Sequence, residues 1–334
     1  YLSREVEFLR KKLGQMPAPI EETMGDSPRI KQVLKQVEII AATNMTVILQ
    51  GESGTGKELI AKMIHEKSLR KDKPFIAIDS GAIPDTLVES ELFGYEKGAF
   101  TGAEERKEGK FEQANGGTLF FDEITNLPNG IQMKLLRAVQ ERKFQHLGGK
   151  KDISVDVRII VATNITLSEA VRMGEFRDDL FHRLNEFHID LPPLRERKED
   201  LPILTKYFLD EANRDLGKKT EGFSGEAMRF LLDYHWPGNV RELKNIIKKA
   251  VLLADSKDIT LACLSLNNGN QPTQSHLQFD SKEGVSIREI KKRIEEKMIK
   301  EALAKAGGNK TKAAKILKID RMTLYSKIKE FQIK

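Results

Sequence analysis

The amino-acid sequence predicts an α/β core with a helical lid, followed by a small all-α module. Short apolar runs alternate with helical patterns from residue 20 to about 190, and helical patterns stand alone from 191 to 266. Charge then changes sign: residues 284–334 hold 15 Lys/Arg against 6 Asp/Glu, a net of +9, whereas residues 1–283 carry a net of −3. A length of 334 residues allows two or three domains, and 39% hydrophobic with 32% charged residues reads as soluble and globular.

In chain order, Leu2, Val6, Leu9 and Leu13 form an a/d stripe that predicts a linker helix or short coiled coil over residues 1–19, ended by Gly14, Pro17 and Pro19. Residues 20–190 form the α/β subdomain, with strands expected at 46–50, 75–78, 118–121 and 157–161. Apolar strands between helices imply a parallel sheet covered on both faces. Past residue 190 the strands are expected to stop, and helices at 198–215, 224–234 and 240–254 build the lid over 191–266. Residues 267–283 are polar and patternless, as a flexible linker is. No run approaches eighteen apolar residues, so no membrane helix is expected. Cys263 has no internal partner, and no signal peptide is visible; both fit a reducing cytoplasm. An opening at Tyr1 rather than Met suggests a fragment with more chain upstream.

Gly51, Glu52, Ser53, Gly54, Thr55, Gly56, Lys57 and Glu58 follow an apolar strand and open a helix. Glycines let backbone N–H groups approach phosphates, the helix N-terminus favours their charge, and Lys57 is expected to reach the β- and γ-phosphates of ATP. Glu58 stands where most such loops carry the Ser/Thr that holds Mg²⁺, which shifts metal contact toward Asp122. The strand at 118–121 ends in Asp122 and Glu123, expected to bind Mg²⁺ and to polarise the attacking water. Arg177 and Arg183 lie six apart in GEFRDDLFHRL. They either pair with Asp178 and Asp179 or serve as arginine fingers in a neighbour's site, which requires a ring of subunits. Gly98, Ala99, Phe100, Thr101, Gly102 and Ala103 form a glycine-hinged tip that holds one aromatic out of the core.

These motifs, with ESELFGYEKGAFTGA and WPGNVRELKN, resemble the AAA+ ATPases that activate sigma-54 RNA polymerase, the NtrC-type enhancer-binding proteins, over residues 20–265. The C-terminal segment resembles the Fis-type helix-turn-helix that accompanies them. The resemblance implies an AAA+ P-loop core with a helical lid subdomain and a DNA-binding domain at 284–334. It also implies ATP hydrolysis in a hexamer or heptamer, with the 98–103 tip as the sigma-54 contact that converts closed to open promoter complexes. Asn164 becomes the polar sensor near the γ-phosphate and Arg241 the lid arginine over the nucleotide, with Arg177 and Arg183 acting in trans. Asp122 and Glu123 become the Walker B pair, and Asp79 stands where the family often has an Asn that holds the Walker B glutamate in an inactive pose. Asp accepts hydrogen bonds but has no amide to donate, and it repels Glu123 unless a proton or cation intervenes. The stripe at 2–13 fits a linker from an upstream receiver or sensory domain.

A long amphipathic helix from about 285 to 306 is broken by Gly307 and Gly308 and is expected to pair two modules on palindromic half-sites. Asn309 is the expected N-cap of a helix at 310–317, residues 318–320 the turn, and 321–331 the second helix. Leu324 and Ile328 face inward, leaving Lys310, Lys312, Arg321, Thr323, Tyr325, Lys327 and Lys329 for double-stranded DNA. Two alternatives remain: a passive DNA-binding regulator that only senses nucleotide, and a different P-loop remodeller such as a helicase loader.

Overall fold

The computed structural model describes residues 24–255, 257–264, 299, 303, 310–317 and 321–331. The segments expected at 1–19, 267–283 and 318–320, the Asn309 cap, and all of the 285–306 helix except 299 and 303 lie outside them. The chain divides into two units, residues 1–266 and 267–334.

In the first unit, α1 (Pro28–Ala41) starts at Ser27, whose hydroxyl accepts from the Ile30 N–H, and buries Ile30, Val33, Val37 and Ile40 at helical spacing. Next come β1 (Val47–Gln50), α2 (Lys57–Glu66), β2 (Phe75–Asp79), α3 (Asp85–Phe93), α4 (Lys110–Gln113) and β3 (Thr118–Asp122). A 3₁₀ turn (Ile124–Asn126) leads to α5 (Asn129–Glu141) and to β4 (Lys143–Phe144), which pairs antiparallel with β5 (Ile153–Ser154). The subdomain closes with β6 (Arg158–Thr163), α6 (Leu167–Met173), α7 (Asp178–Leu184) and β7 (Phe187–Asp190).

The main sheet is parallel throughout, in the order β2-β3-β6-β1-β7. Period-2 alternation sends Ile48, Ile78, Leu119, Phe121 and Val161 into one apolar cluster and Val47, Leu49, Phe120, Ile160 and Ile189 into the other. Both faces are therefore covered, as the unbroken apolar runs imply. Four strands lie where expected, and β7 is an addition. Its alternation of half-buried Phe187, exposed His188, buried Ile189 and exposed Asp190 is that of an edge strand, too polar to stand out in the sequence.

The lid comprises α8 (Leu201–Leu216), α9 (Gly225–Asp233) and α10 (Asn239–Leu253), packed on fully buried Trp236, Leu231, Leu243 and Ile247. The expectation that strands stop at residue 190 needs a correction. β8 (Gly222–Phe223) and β9 (Asp258–Ile259) pair parallel within the lid, two residues each, too short to leave a sequence pattern. In the second unit, α11 (Lys310–Leu317) and α12 (Arg321–Glu330) pack Ala313, Ala314, Leu324 and Ile328 against Ile299 and Leu303.

Core and lid meet at a seam of buried charge. Asp200 is fully buried and accepts from the backbone N–H groups of Asp26 (2.7 Å) and Ser27 (2.6 Å) and from the Ser27 hydroxyl (2.7 Å). Arg197, 1% exposed, donates to the carbonyls of Met24 (2.8 Å) and Thr55 (3.1 Å), and burial pushes its guanidinium down to about 10. Gly25 is required here, since a Cβ would lie 2.3 Å from the Asp200 carboxyl carbon. Asp200→Ala leaves three donors without an acceptor, two of them buried on Ser27. It is expected to lower unfolding free energy by about 3 kcal/mol, read by urea denaturation; a change below about 1 kcal/mol contradicts the seam's structural weight.

Candidate functional site

The loop between β1 and α2 is a phosphate cradle built from backbone. Gly54 (φ 79°) and Gly56 (φ 107°) take left-handed conformations, and no side chain caps the start of α2, whose first N–H groups stay available to an anion. Lys57 is 7% exposed, and its Nζ donates to the carbonyls of Gly51 (2.7 Å) and Glu52 (3.2 Å). Burial lowers its pKa, while Asp122 and Glu123 pull it back up. Glu58 pairs with Lys62 one turn on (2.7 Å).

The acidic wall is set by strand register. Asp79 and Asp122 are partners at the ends of β2 and β3. Burial raises the Asp122 pKa, with Lys57 opposing it, so this carboxylate gains from any cation that enters the cleft. Glu123 follows in a left-handed conformation (φ 51°), which swings its side chain off the strand axis. Its Oε2 accepts from the Asn126 amide at 3.0 Å, while Asp79 Oδ1 accepts from the Gly81 N–H at 3.0 Å.

The lid supplies the opposite wall. The Gly54 carbonyl accepts from the N–H groups of Val240 (3.0 Å) and Arg241 (3.3 Å), so the phosphate loop caps helix α10. Buried Asn239 (φ 51°) bridges three places: its Oδ1 accepts from the Leu194 N–H (2.8 Å), and its Nδ2 donates to Glu52 Oε2 and to the Ser53 carbonyl (3.1 Å each). Arg195 grips the Glu52 carboxylate with two parallel bonds (2.8 and 2.6 Å), which hold it below its ordinary pKa, and Arg241 donates to Ser53 Oγ (3.0 Å). Between the walls lies a cleft of about 790 Å³.

Of the predicted residues, Ser53, Gly54, Gly56, Lys57, Glu58, Asp79, Asp122, Glu123 and Arg241 line this cleft. Asn126, Tyr207, Phe208, Glu211 and Lys244 line it too and belong to no predicted set. Asn164 stands exposed just past β6 and outside the cleft lining. Arg177 and Arg183 also lie away from it. Arg177, at the start of α7, forms a two-bond pair with Asp179 (3.0 and 2.7 Å), whereas Arg183 borders a small cavity with Thr46 and Glu186. In the tip, Gly98 (φ 81°) and Gly102 (φ 103°) turn a closed loop in which the Gly98 N–H donates to the Ala103 carbonyl (2.9 Å). Phe100 is 43% exposed, with its ring edge-on to Tyr95 at 5.0 Å, while Ala103 is buried. In the second unit, Lys310 and Arg321 flank the exposed Tyr325 ring at 5.1 and 5.5 Å. Lys312 and Thr323 are exposed, Lys327 lies over Phe331, and the Lys329 side chain is outside the described residues.

A family model described as "Sigma-54 interaction domain" matches residues 23–190, "AAA+ ATPase lid domain" residues 195–280, and "Bacterial regulatory protein, Fis family" residues 292–331. The transcriptional regulatory protein ZraR of Klebsiella oxytoca is 44% identical over 318 residues, covering 93% of this chain and 71% of its own. The DNA-binding transcriptional regulator NtrC of Proteus hauseri is 40% identical, covering 94% and 70%. The crystal structure of NtrX from Brucella abortus matches with a TM-score of 0.73 at 33% identity, covering 99% of this chain and 72% of that one. The same protein in complex with ATP matches with a TM-score of 0.71 at 33% identity, covering 99% and 72%. Strand order, phosphate loop and lid define the class: an AAA+ ATPase that binds nucleotide. The chain belongs to the family of sigma-54-dependent transcriptional activators, with an ATPase and a Fis-type DNA-binding domain. Among the described residues no helix is long and apolar enough to cross a membrane.

Asn239 joins phosphate loop to lid, so its loss opens the cleft. Asn239→Ala is expected to weaken ATP about tenfold, roughly 1.4 kcal/mol, in a titration with a fluorescent ATP analogue. Asn239→Gly, which tolerates the left-handed backbone, falls as far; wild-type affinity in the glycine variant rejects the side-chain bridge.

Proposed function

We propose that ATP hydrolysis in a ring of these subunits drives the 98–103 tip against sigma-54 and remodels the polymerase from closed to open promoter complex. The observation that carries this reading is the short covalent path from cleft to tip. Asp79, Gly81 and Ala82 line the cleft, α3 begins at Asp85, and its last residue, Phe93, stacks on Phe111 of α4 at 5.4 Å. Gly94 then opens the stem that carries Phe100. A shift of the acidic wall on hydrolysis has one helix through which to move the tip.

Lys57 and the start of α2 hold the phosphates, and Arg241 closes over them from the lid. A Mg²⁺ ion that arrives with ATP fits this cleft. Asp122 gains from a cation, Glu58 is engaged with Lys62, and among the described residues no group of three or more His, Cys, Asp or Glu side chains forms a metal cage of its own. Phosphate oxygens, water and Asp122 would hold the ion, as is usual for Mg²⁺. Glu123 orients the attacking water, with Asn164 as the polar sensor near the γ-phosphate. Arg177 and Arg183 act in trans, which their distance from their own cleft supports. The Arg177–Asp179 pair is exposed and screened by water, so a phosphate displaces Asp179 readily. Enhancer-like duplex DNA binds the basic surface around Lys310, Lys312, Arg321, Thr323, Tyr325, Lys327 and Lys329.

Phe100→Ala is expected to keep steady-state ATP turnover within about twofold of wild type and to abolish open-complex formation on a sigma-54 promoter, read by permanganate footprinting. The tip stands apart from the cleft residues, so contact is lost and chemistry is spared. Full open-complex formation by this variant rejects the tip as the output.

A further inference from the structure

Asp79 occupies the position from which the family often supplies an amide to the Walker B glutamate, and an aspartate has none to give. Around that position three side chains converge on Gly81. A Cβ on Gly81 would lie 2.9 Å from Asn126 Nδ2, 3.2 Å from Glu123 Oε2 and 3.4 Å from Asp79 Oδ1. Glycine thus leaves the space that two carboxylates and one amide share. Of the three, only Asn126 can donate, and its Nδ2 lies 3.0 Å from Glu123 Oε2. The opposite amide orientation would set a carbonyl oxygen against a carboxylate, which fixes the assignment chemically. A second bond joins the same pair, from the Asn126 N–H to the Glu123 carbonyl (2.9 Å), and makes the 3₁₀ turn that brings the amide back over the glutamate. Asn126 also lines the nucleotide cleft.

We propose that Asn126 supplies the amide that parks Glu123, a role residue 79 cannot fill in this chain. In the parked pose the amide occupies the Oε2 lone pair that would otherwise accept a hydrogen bond from the attacking water. Asp79 holds itself in place through the Gly81 N–H and adds negative charge beside Glu123, which favours release once the amide lets go. The regulatory donor has moved from the end of β2 to the turn after β3. Asn126 is therefore a positioning residue that acts through Glu123, and the inference rests on the proposed catalytic role of Glu123.

Its test is steady-state ATP turnover of the full chain without polymerase. Asn126→Ala is expected to raise kcat about threefold to tenfold with the ATP KM within about twofold, because the freed carboxylate is a better base and the phosphate contacts are untouched. Adding Asp79→Asn to Asn126→Ala restores an amide across the Gly81 gap and is expected to lower turnover at least about threefold from the single variant. A lower kcat in Asn126→Ala, an unchanged one, or a rise that Asp79→Asn does not reverse would each overturn the proposal. Asn126 is exposed to the cleft and carries no core packing, so the variant folds. Glu123→Gln separates the two levels. If it turns over ATP like wild type, the role of Glu123 fails; if it is inactive while Asn126→Ala matches wild type, the parking amide alone fails.

Discussion

The Gly54 carbonyl is the contact on which the rest of the site depends. It belongs to the glycine loop between β1 and α2, and it accepts from the Val240 and Arg241 N–H groups in the first turn of lid helix α10. A Cβ at Gly54 would meet the Gly238 carbonyl at 2.4 Å, so the two backbones touch only because residue 54 is glycine. One loop therefore caps two helices, α2 through the anion it invites and α10 through its own carbonyl. Any rearrangement of the loop on binding nucleotide is passed directly to the lid. The buried Arg197 and Asp200 reinforce that closure, since separating core from lid would strand their charges at several kcal/mol each.

The acidic wall answers the cradle from the other side. Parallel register brings Asp79 beside Asp122, and the left-handed turn at Glu123 points a third carboxylate into the same space. Such a concentration of negative charge is tolerable only beside donors and cations, which Lys57, Asn126 and the Gly81 N–H provide. From this wall α3 leads to the tip. In the proposed function, the wall and the exposed Phe100 are two ends of one mechanical element.

Much of this was legible in the sequence because the signals are local. A strand, a glycine loop and a helix start lie within a dozen residues, and so the cradle from Gly51 to Glu58 could be read directly. Apolar runs mark four strands of the sheet, whereas β7 alternates with polar residues and leaves no such run. Arg158, Arg197 and Asp200 are buried with no local signal in the sequence, since only the tertiary fold shows which carbonyls and N–H groups satisfy them. Asn239, Arg195 and Tyr207 reach the site from the lid, more than 140 residues beyond the phosphate loop for Arg195 and Asn239. Asn126 lies three residues from Glu123, yet its role depends on a turn whose shape follows from the glutamate's positive φ.

Among the described residues, three cationic side chains line the cleft: Lys57, Arg241 and Lys244, the last paired with Glu211 at 3.0 Å. In the proposed function, Lys57 and Arg241 hold the ATP phosphates. Stabilising the transferring phosphoryl group asks for a further cation, which the proposed ring supplies from the neighbour's Arg177 and Arg183. The most direct measurement mixes two inactive variants, Lys57→Ala and the double Arg177→Ala/Arg183→Ala, in equal amounts and follows ATP turnover. Random assembly is predicted to restore roughly a quarter of wild-type turnover, because half the subunits keep the cradle and half of those face an intact neighbour. No recovery on mixing, or wild-type turnover by the double variant alone, would contradict a site completed in trans.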